Sequence, residues 1–430
     1  MGDVMAADTI FALASGAPPA AVAVLRISGP SADRALSALT GGRALPDPRR
    51  ATLRPLVAAN GDPLETALVL RFPGPASFTG EDVVELQVTG SAALVSRLQT
   101  ELAAQPGLRI AEPGEFARRA VHAGKLGLTE AEGLAALIDA ETDMQMTQAL
   151  MAAGGTLRRA AEDWRTRLIS LLADIEAELD FGEAEADISD RIAADGTARI
   201  EALAAEIAAT LAQHNAARLV RRGITIAVIG PPNAGKSSLV NALSQSDAAI
   251  VSPQAGTTRD VLTVPLDIGG YRVDLLDTAG LHEASDPVER EGIRRALARA
   301  EAADLVLDLA EDAADDDRTL AVHAKADLSG SGQGLAVSSE TGAGLDDLLA
   351  AIRQRLDRLA PSQGLVTTSE RQRGHLEACQ TALHNAADEG DTVLRAEHLR
   401  TALHALGALS GHVEAEAILD QVFARFCMGK

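Results

Sequence analysis

ITIAVIGPPNAGKS, residues 224–237, decides the fold of the middle of this chain. Ile224 to Gly230 is a short apolar, β-branched run of the kind that forms a buried strand. Gly230-Pro231-Pro232-Asn233-Ala234-Gly235-Lys236-Ser237 fits G-x-x-x-x-G-K-[ST], and an amphipathic helical stretch follows from Ser238 to Leu243. Strand, loop and helix in that order are the context this motif needs. The backbone N–H groups of Ala234, Gly235 and Ser238 and the start of the helix then form a cradle for phosphate. Lys236 is expected to reach the β- and γ-phosphates of a nucleotide, and Ser237 to ligate Mg²⁺. A chance glycine-rich turn is the alternative, and it does not explain the flanking strand and helix.

Further short motifs follow in order. Asp277-Thr278-Ala279-Gly280 closes a second strand, Val273 to Leu276. An Asp there can hold Mg²⁺ through water, and a Gly lets a backbone N–H meet the γ-phosphate. Between the two motifs lies Gly256-Thr257-Thr258-Arg259-Asp260, in which Thr258 can offer Mg²⁺ a second hydroxyl. Ala324-Lys325-Ala326-Asp327 stands where GTPases carry Asn-Lys-x-Asp. Asp327 can take two guanine N–H donors and Lys325 can cover the base plane, but the Asn tether is missing. Weakened affinity with retained guanine preference is expected. Ser338-Ser339-Glu340 occupies the next strand end, where a backbone contact to the guanine oxygen belongs. The order and spacing of these motifs point to GTP rather than ATP.

The residue after Gly280 is Leu281, where many small GTPases have a Gln that orients the attacking water. His282, Glu283 and Glu289 are the nearby groups able to handle that water, each being otherwise an ordinary solvated residue. No arginine finger is evident. The Asn233 side chain could ligate a monovalent cation beside the phosphates and so supply positive charge, or could simply stabilise the loop.

Outward from this segment the pattern changes. An α+β region is expected over 1–118, with strands at Ala21–Ile27 and Val83–Val88 and a helix at Ser91–Ala103. Residues 119–216 and 361–430 read as two halves of one helical domain, interrupted by a GTPase domain of Ras-like α/β type at 217–360. Thr129-x-x-Glu132 suggests a capping box. Leu262 to Leu276 reads as two strands joined by a Gly269-Gly270 hairpin turn. Aromatic residues are 2% of the 430, so the cores must be built from Ala, Leu, Val and Ile. The net charge of −22 argues against a broad nucleic-acid surface, because phosphate contacts need Lys and Arg. Any RNA contact would be local or shared with a partner. The densest acidic run, Glu301 to Asp317, is expected to be a solvated edge of one domain. Two cysteines, no long apolar run and a first segment without basic residues are read as cytoplasmic, with no membrane span.

The stretches GPPNAGKSS, AGTTRD, DTAGLHEASDPVER and the ending Cys427-Met428-Gly429-Lys430 closely resemble the tRNA-modification GTPase family called MnmE or TrmE. LRISGP (25–30), FPGPASFTGEDVVELQ (72–87), PGEFARRAVHAGKLGLTEAE (113–132) and LIDAET (137–142) extend the resemblance over essentially the whole chain. It implies an N-terminal domain that dimerises and binds formyl- or methylene-tetrahydrofolate, and a helical domain holding an inserted GTPase. It also implies the flavoprotein partner MnmG (GidA), in a heterotetramer or larger. The implied product is an aminomethyl-type (carboxymethylaminomethyl) group on the wobble uridine of certain tRNAs. Carried over by motif, Arg26, Glu85, Lys125 and Lys430 would bind folate. Asn233, Thr257 and the backbone carbonyls of Ser252 and Gln254 would hold K⁺, and Glu289 would orient the water. Cys427 would lie near the one-carbon site, where a thiol could assist or could be only a structural tail residue. The chain departs from the family at GAPPA (16–20), at VTGS (88–91), at Ala324 and in a short stretch before AKAD.

A ribosome-assembly or regulatory GTPase is the competing reading, and it predicts a basic RNA-binding module that is not recognisable here. A degenerate GTPase serving as a structural dimer is the third, and intact Lys236, Ser237, Thr258 and Asp277 count against it.

Overall fold

The computed structural model describes residues 8–181, 186–250, 263–277, 301–328, 334–360, 367 and 369–410. The chain divides into two compact units at Glu132/Gly133, and the division recurs at Leu406/Gly407.

The first unit is built on β1 (Thr9–Leu13), β2 (Ala20–Ser28), β3 (Thr52–Val57), β4 (Pro63–Phe72), β5 (Val83–Gly90) and β6 (Leu108–Ile110). They form one sheet in the order β3-β4-β5-β2-β1-β6. Pairing is antiparallel throughout except for β1 with β6. One face packs on α1 (Ala32–Leu39) and α2 (Ala92–Ala103), through Leu25, Ile27, Val84, Leu86, Leu36 and Leu98. Period-2 alternation therefore sends Arg26 and Glu85 to the opposite face. On that face lies α3 (Glu115–His122), whose buried Phe116 meets Ile10 and Ala12.

Next comes α4 (Leu128–Ile138), and it corrects the expected capping box. Thr129 lies inside the helix, and its buried hydroxyl has no hydrogen-bond partner. The start is held instead by Glu130, whose carboxylate accepts the Gly127 N–H at 2.6 Å. The acid three residues past the cap does the work and a glycine replaces the Ser/Thr cap.

The second unit takes in the later part of α4 and continues with α5 (Asp143–Ala153) and α6 (Thr156–Phe181). Gly154-Gly155 separates these two helices. α7 (Ala186–Ala212) and α8 (His214–Arg222) follow. Arg167 of α6 forks onto Glu206 of α7 at 2.8 and 2.9 Å, and the Trp164 indole N–H donates to the same carboxylate.

The chain then enters a second sheet. Its strands are β7 (Ile224–Ile229), β8 (Thr263–Ile268), β9 (Tyr271–Asp277), β10 (Leu305–Asp308), β11 (Thr319–Ala324) and β12 (Leu335–Val337). The order is β12-β11-β10-β7-β9-β8, parallel except for the edge strand β8. This is the α/β layer expected from 224 onward. α9 (Lys236–Ser244) and α10 (Leu345–Leu359) cover it through Leu239, Leu243, Leu348, Ile352 and Leu356. The acidic run is only half as expected. β10 lies inside it with Leu305 and Leu307 fully buried, and the exposed acids are Glu301 ahead of it and those after Ala310. Apolar residues alternating among acids mark an interior strand, and the charge count concealed it.

After the sheet the chain is helical again, in α11 (Glu370–Asp388) and α12 (Thr392–Ser410). α11 packs along α7, so helices from either side of the sheet segment meet. The buried His214 ring lies at the junction. Its Nδ1 is 2.7 Å from the Thr367 hydroxyl and its Nε2 3.2 Å from Glu370. No helix among the described residues is long and apolar enough to cross a membrane.

Candidate functional site

The carboxyl ends of the parallel strands β7, β9, β10, β11 and β12 converge on one edge of the second sheet. Loops at this edge are where open α/β sheets bind ligands. The loop after β7 starts at Gly230 and turns into α9 at Gly235, whose φ is +99°. That left-handed value is open to glycine and strained for other residues. Asn233 also takes a positive φ, +62°, which its short polar side chain tolerates.

Lys236, 6% exposed, points back into the loop. Its Nζ donates to the carbonyls of Gly230 and Pro231, both at 2.9 Å. The ammonium is thus held at the mouth of the phosphate loop by neutral oxygens. Asp277 ends β9 in register with Val228 of β7, the strand whose following loop leads to Ser237 in the first turn of α9. A hydroxyl and a carboxylate are the hard oxygen donors that suit Mg²⁺.

The loop at the end of β11 closes the other side. A Cβ placed on Gly235 would lie 3.6 Å from Ala324 Cβ and 3.6 Å from Lys325 Cε. Lys325, with φ +60°, donates from Nζ to the Asn233 carbonyl at 2.6 Å. Where the usual Asn is replaced by Ala324, this lysine links the two loops. Ala326 N–H donates to the Val337 carbonyl at 3.1 Å, which ties the Lys325–Asp327 turn to β12. Ser338 is buried at the end of β12, its hydroxyl accepting the Thr341 N–H at 3.2 Å. Ser339 and Glu340 continue that turn. The structure therefore brings together Asn233, Ala234, Gly235, Lys236, Ser237, Ser238, Lys325, Ser338 and the Asp277 and Asp327 positions. Ser252, Gln254, Thr257, Thr258, Thr278, Ala279, Gly280, Leu281, His282, Glu283 and Glu289 lie outside the described residues.

A second constellation lies in the first unit. Arg26 and Glu85 are register partners on β2 and β5. Arg26 Nε and Nη2 reach the same oxygen, Glu85 Oε1, at 2.9 and 2.8 Å. The guanidinium carbon lies 5.5 Å from the Phe78 ring centroid and 5.7 Å from that of Phe116, within cation–π range. Lys125 runs past Gly80 in the same region, its Cε 3.5 Å from where a glycine Cβ would stand. Lys430 and Cys427 lie outside the described residues.

Sequence reading missed the two phenylalanines and the ion network behind them. Arg119 donates to Glu81 and Glu115 and to Asp8, while Arg109 forks onto Glu115 at 2.8 and 2.6 Å. The Ser28 hydroxyl donates to Glu81 at 2.6 Å and lies 2.7 Å from the Thr79 hydroxyl. The network thus anchors the loop that carries Phe78. Burial works against ionisation of Glu115. Hydrogen bonds from Arg109, the Glu112 N–H and Arg119 outweigh it and hold the carboxyl at about 2. The charges were visible in PGEFARR, but their partners are up to 111 residues away in the chain.

Comparison with known proteins bears on the family of the chain. A family profile described as the GTP-binding protein TrmE N-terminus matches residues 9–125, and one described as the MnmE helical domain matches residues 128–427. A "tRNA modification GTPase MnmE" of Rhodopseudomonas palustris is 45% identical, over 98% of this chain and 99% of that protein. Proteins of the same name from Bradyrhizobium sp. and Sinorhizobium medicae are 46% and 47% identical, again over 98% of this chain and 99% of theirs. With both profiles and near full-length relatives in agreement, this chain belongs to the MnmE (TrmE) family of tRNA modification GTPases.

Proposed function

We propose that this GTPase couples GTP hydrolysis at the Gly230–Ser237 loop to installation of an aminomethyl-type (carboxymethylaminomethyl) group on the wobble uridine of tRNA. The supporting observation is the phosphate loop at the carboxyl edge of the second sheet, closed by the Ala324–Asp327 loop through Lys325 and Asn233. Backbone N–H groups of Ala234 to Ser238 hold the phosphates, and Lys236 exchanges its loop carbonyls for phosphate oxygens. Asp327 takes the guanine N–H donors and the Ser338–Glu340 turn meets the guanine oxygen. Ser237 and Thr258 would hold Mg²⁺, with Asp277 supporting it through water. Bound there, the ion neutralises charge on the phosphates. Asn233, Thr257 and the backbone carbonyls of Ser252 and Gln254 would hold K⁺ and supply the charge an arginine finger otherwise brings, and Glu289 would orient the water.

The first unit takes formyl- or methylene-tetrahydrofolate. Both Arg26 contacts fall on one oxygen of Glu85, which suits a carboxylate that accepts pterin N–H groups through the other. Lys125 and Lys430 would pair with the folate carboxylates, and the Cys427 thiol would serve at the one-carbon group or only in the tail. The working assembly is a cytoplasmic homodimer joined to the flavoprotein MnmG, with tRNA shared between them. The domains are 1–118, 119–216 with 361–430, and the inserted 217–360.

Nucleoside analysis of tRNA from cells lacking this protein tests the reading. Loss of a modified wobble uridine, restored by this chain, is the expected result. An unchanged nucleoside profile would overturn it in favour of a ribosome-assembly or regulatory GTPase.

A further inference from the structure

LIDAET and the residues after it, 137–145, have no part in the nucleotide or folate chemistry. In the structure this stretch grips the far end of the second sheet. Met144 N–H donates to the Gly270 carbonyl at 3.2 Å, in the turn between β8 and β9. Met144 Cγ stands 3.0 Å from where a Cβ on Gly270 would lie, and Met144 packs on the core of the sheet. Glu141 forms an ion pair with Arg272, the second residue of β9. Gln145, 8% exposed, accepts the Glu141 N–H on Oε1 at 2.8 Å. Its Nε2 donates to the Arg221 carbonyl at 3.2 Å, in the last turn of α8 and just ahead of β7.

One five-residue segment therefore holds the amino ends of both β7 and β9. The carboxyl ends of the same two strands carry the phosphate loop and Asp277. β9 is hydrogen-bonded on both sides, to β7 and to β8. Its seven residues span about 20 Å at a strand's rise, so Arg272 and Asp277 lie near opposite ends of one paired strand. Stability alone does not explain the Glu141–Arg272 pair. Both side chains are about a third exposed, and pairs as exposed as this add little to stability.

We infer that Glu141, Met144 and Gln145 form a clamp through which the nucleotide state at the carboxyl ends of β7 and β9 is passed to the helices. The inference rests on the reading of Gly230–Ser237 as the GTP site. A clamp that passes on the nucleotide state has to hold more strongly in one state than in the other. The Met144 N–H is then protected differently in each.

The test is hydrogen exchange on the full chain, saturated with GDP or with a non-hydrolysable GTP analogue. Peptides covering 141–146 and 267–272 are expected to differ in exchange rate between the two states by about threefold or more. Glu141→Arg should remove the difference while leaving GDP affinity, read by fluorescent GDP titration, within about twofold. The charge-swapped pair Glu141→Arg with Arg272→Glu should restore it, and Gln145→Leu should remove it independently. Equal exchange in the two states of the unmodified chain, with GDP bound, would overturn the clamp and leave the GTP site standing. So would a Glu141→Arg chain that keeps the full difference, or a charge swap that restores nothing. Failure of the unmodified chain to bind GDP at all would overturn both readings.

Discussion

At the scale of single residues, Lys236 carries the largest expectation. It is nearly buried and its ammonium rests on two backbone carbonyls. Those neutral oxygens place a cation where phosphate charge must be met. Lys236→Ala should abolish phosphate release while the chain stays folded, since the surrounding loop keeps its glycine turns. Near-normal turnover would remove this loop from the nucleotide site. Ala324 carries the opposite expectation. Its Cβ faces the phosphate-loop turn at Gly235, and Lys325 alone of the AKAD side chains has a bond to that loop among the described residues. Ala324→Asn should add a polar tether and tighten GDP binding by about 1 kcal/mol, the net worth of one neutral hydrogen bond. Fluorescent GDP titration reads this directly, and an unchanged dissociation constant would mean that Lys325 already supplies the whole link.

At the scale of elements, α3 is fixed to the sheet of the first unit by charge as well as by Phe116. Glu115 is 1% exposed and shared by Arg109 and Arg119. Removing one partner of a buried ion network leaves the others uncompensated. Glu115→Gln should cost about 3 kcal/mol, read as a lowered midpoint in chemical denaturation of this unit's transition. The pH dependence follows from the same group. Its folded value, about 2, lies below the ordinary carboxylate value of 4.5. The stabilisation is therefore complete above about 4.5 and is lost as pH falls from there through about 2. Acid titration followed by circular dichroism should show a transition in that window, and Glu115→Gln should flatten it. The Gly269-Gly270 turn of the second unit is constrained in a different way. Gly270 combines φ +92° with close approach to Met144. Gly270→Ala should destabilise the β8–β9 hairpin by about 1–2 kcal/mol from backbone strain alone.

At the scale of the whole molecule, the missing positive charge is the open chemical question. Leu281 replaces the usual Gln and no arginine finger is evident in the sequence. Asn233 sits in the phosphate loop with its backbone held by Lys325. Hydrolysis should be much faster in potassium than in sodium at matched ionic strength, because fixed amide and carbonyl oxygens discriminate by ion size. Asn233→Ala should abolish that stimulation with GDP binding largely kept. Glu289→Ala should lower kcat with little change in KM, as for a group acting in the transition state. Steady-state phosphate release in the two salts is the measurement. Equal rates for the unmodified chain would sink the ion and turn attention to Arg259.

The sequence alone determined the nucleotide loop, the strand ahead of it, the helix after it and the order of the guanine motifs. These are local signals: a strand of apolar residues, glycines at turns and a lysine at a fixed offset need only their neighbours to be read. The runs Ala21–Ile27 and Val83–Val88 were likewise enough to be read as strands. Tertiary structure decided what local pattern could not. Arg26 meets Glu85 because β2 and β5 pair in one register out of several, across 59 positions of chain. β10 is interior because strands on both sides cover it, whatever the charge of its flanks. Gln145 reaches the Arg221 carbonyl across 76 positions, and Glu141 reaches Arg272 across 131. Such contacts depend on which ends of which elements the folded chain brings together, and nothing within a few residues of either partner records that.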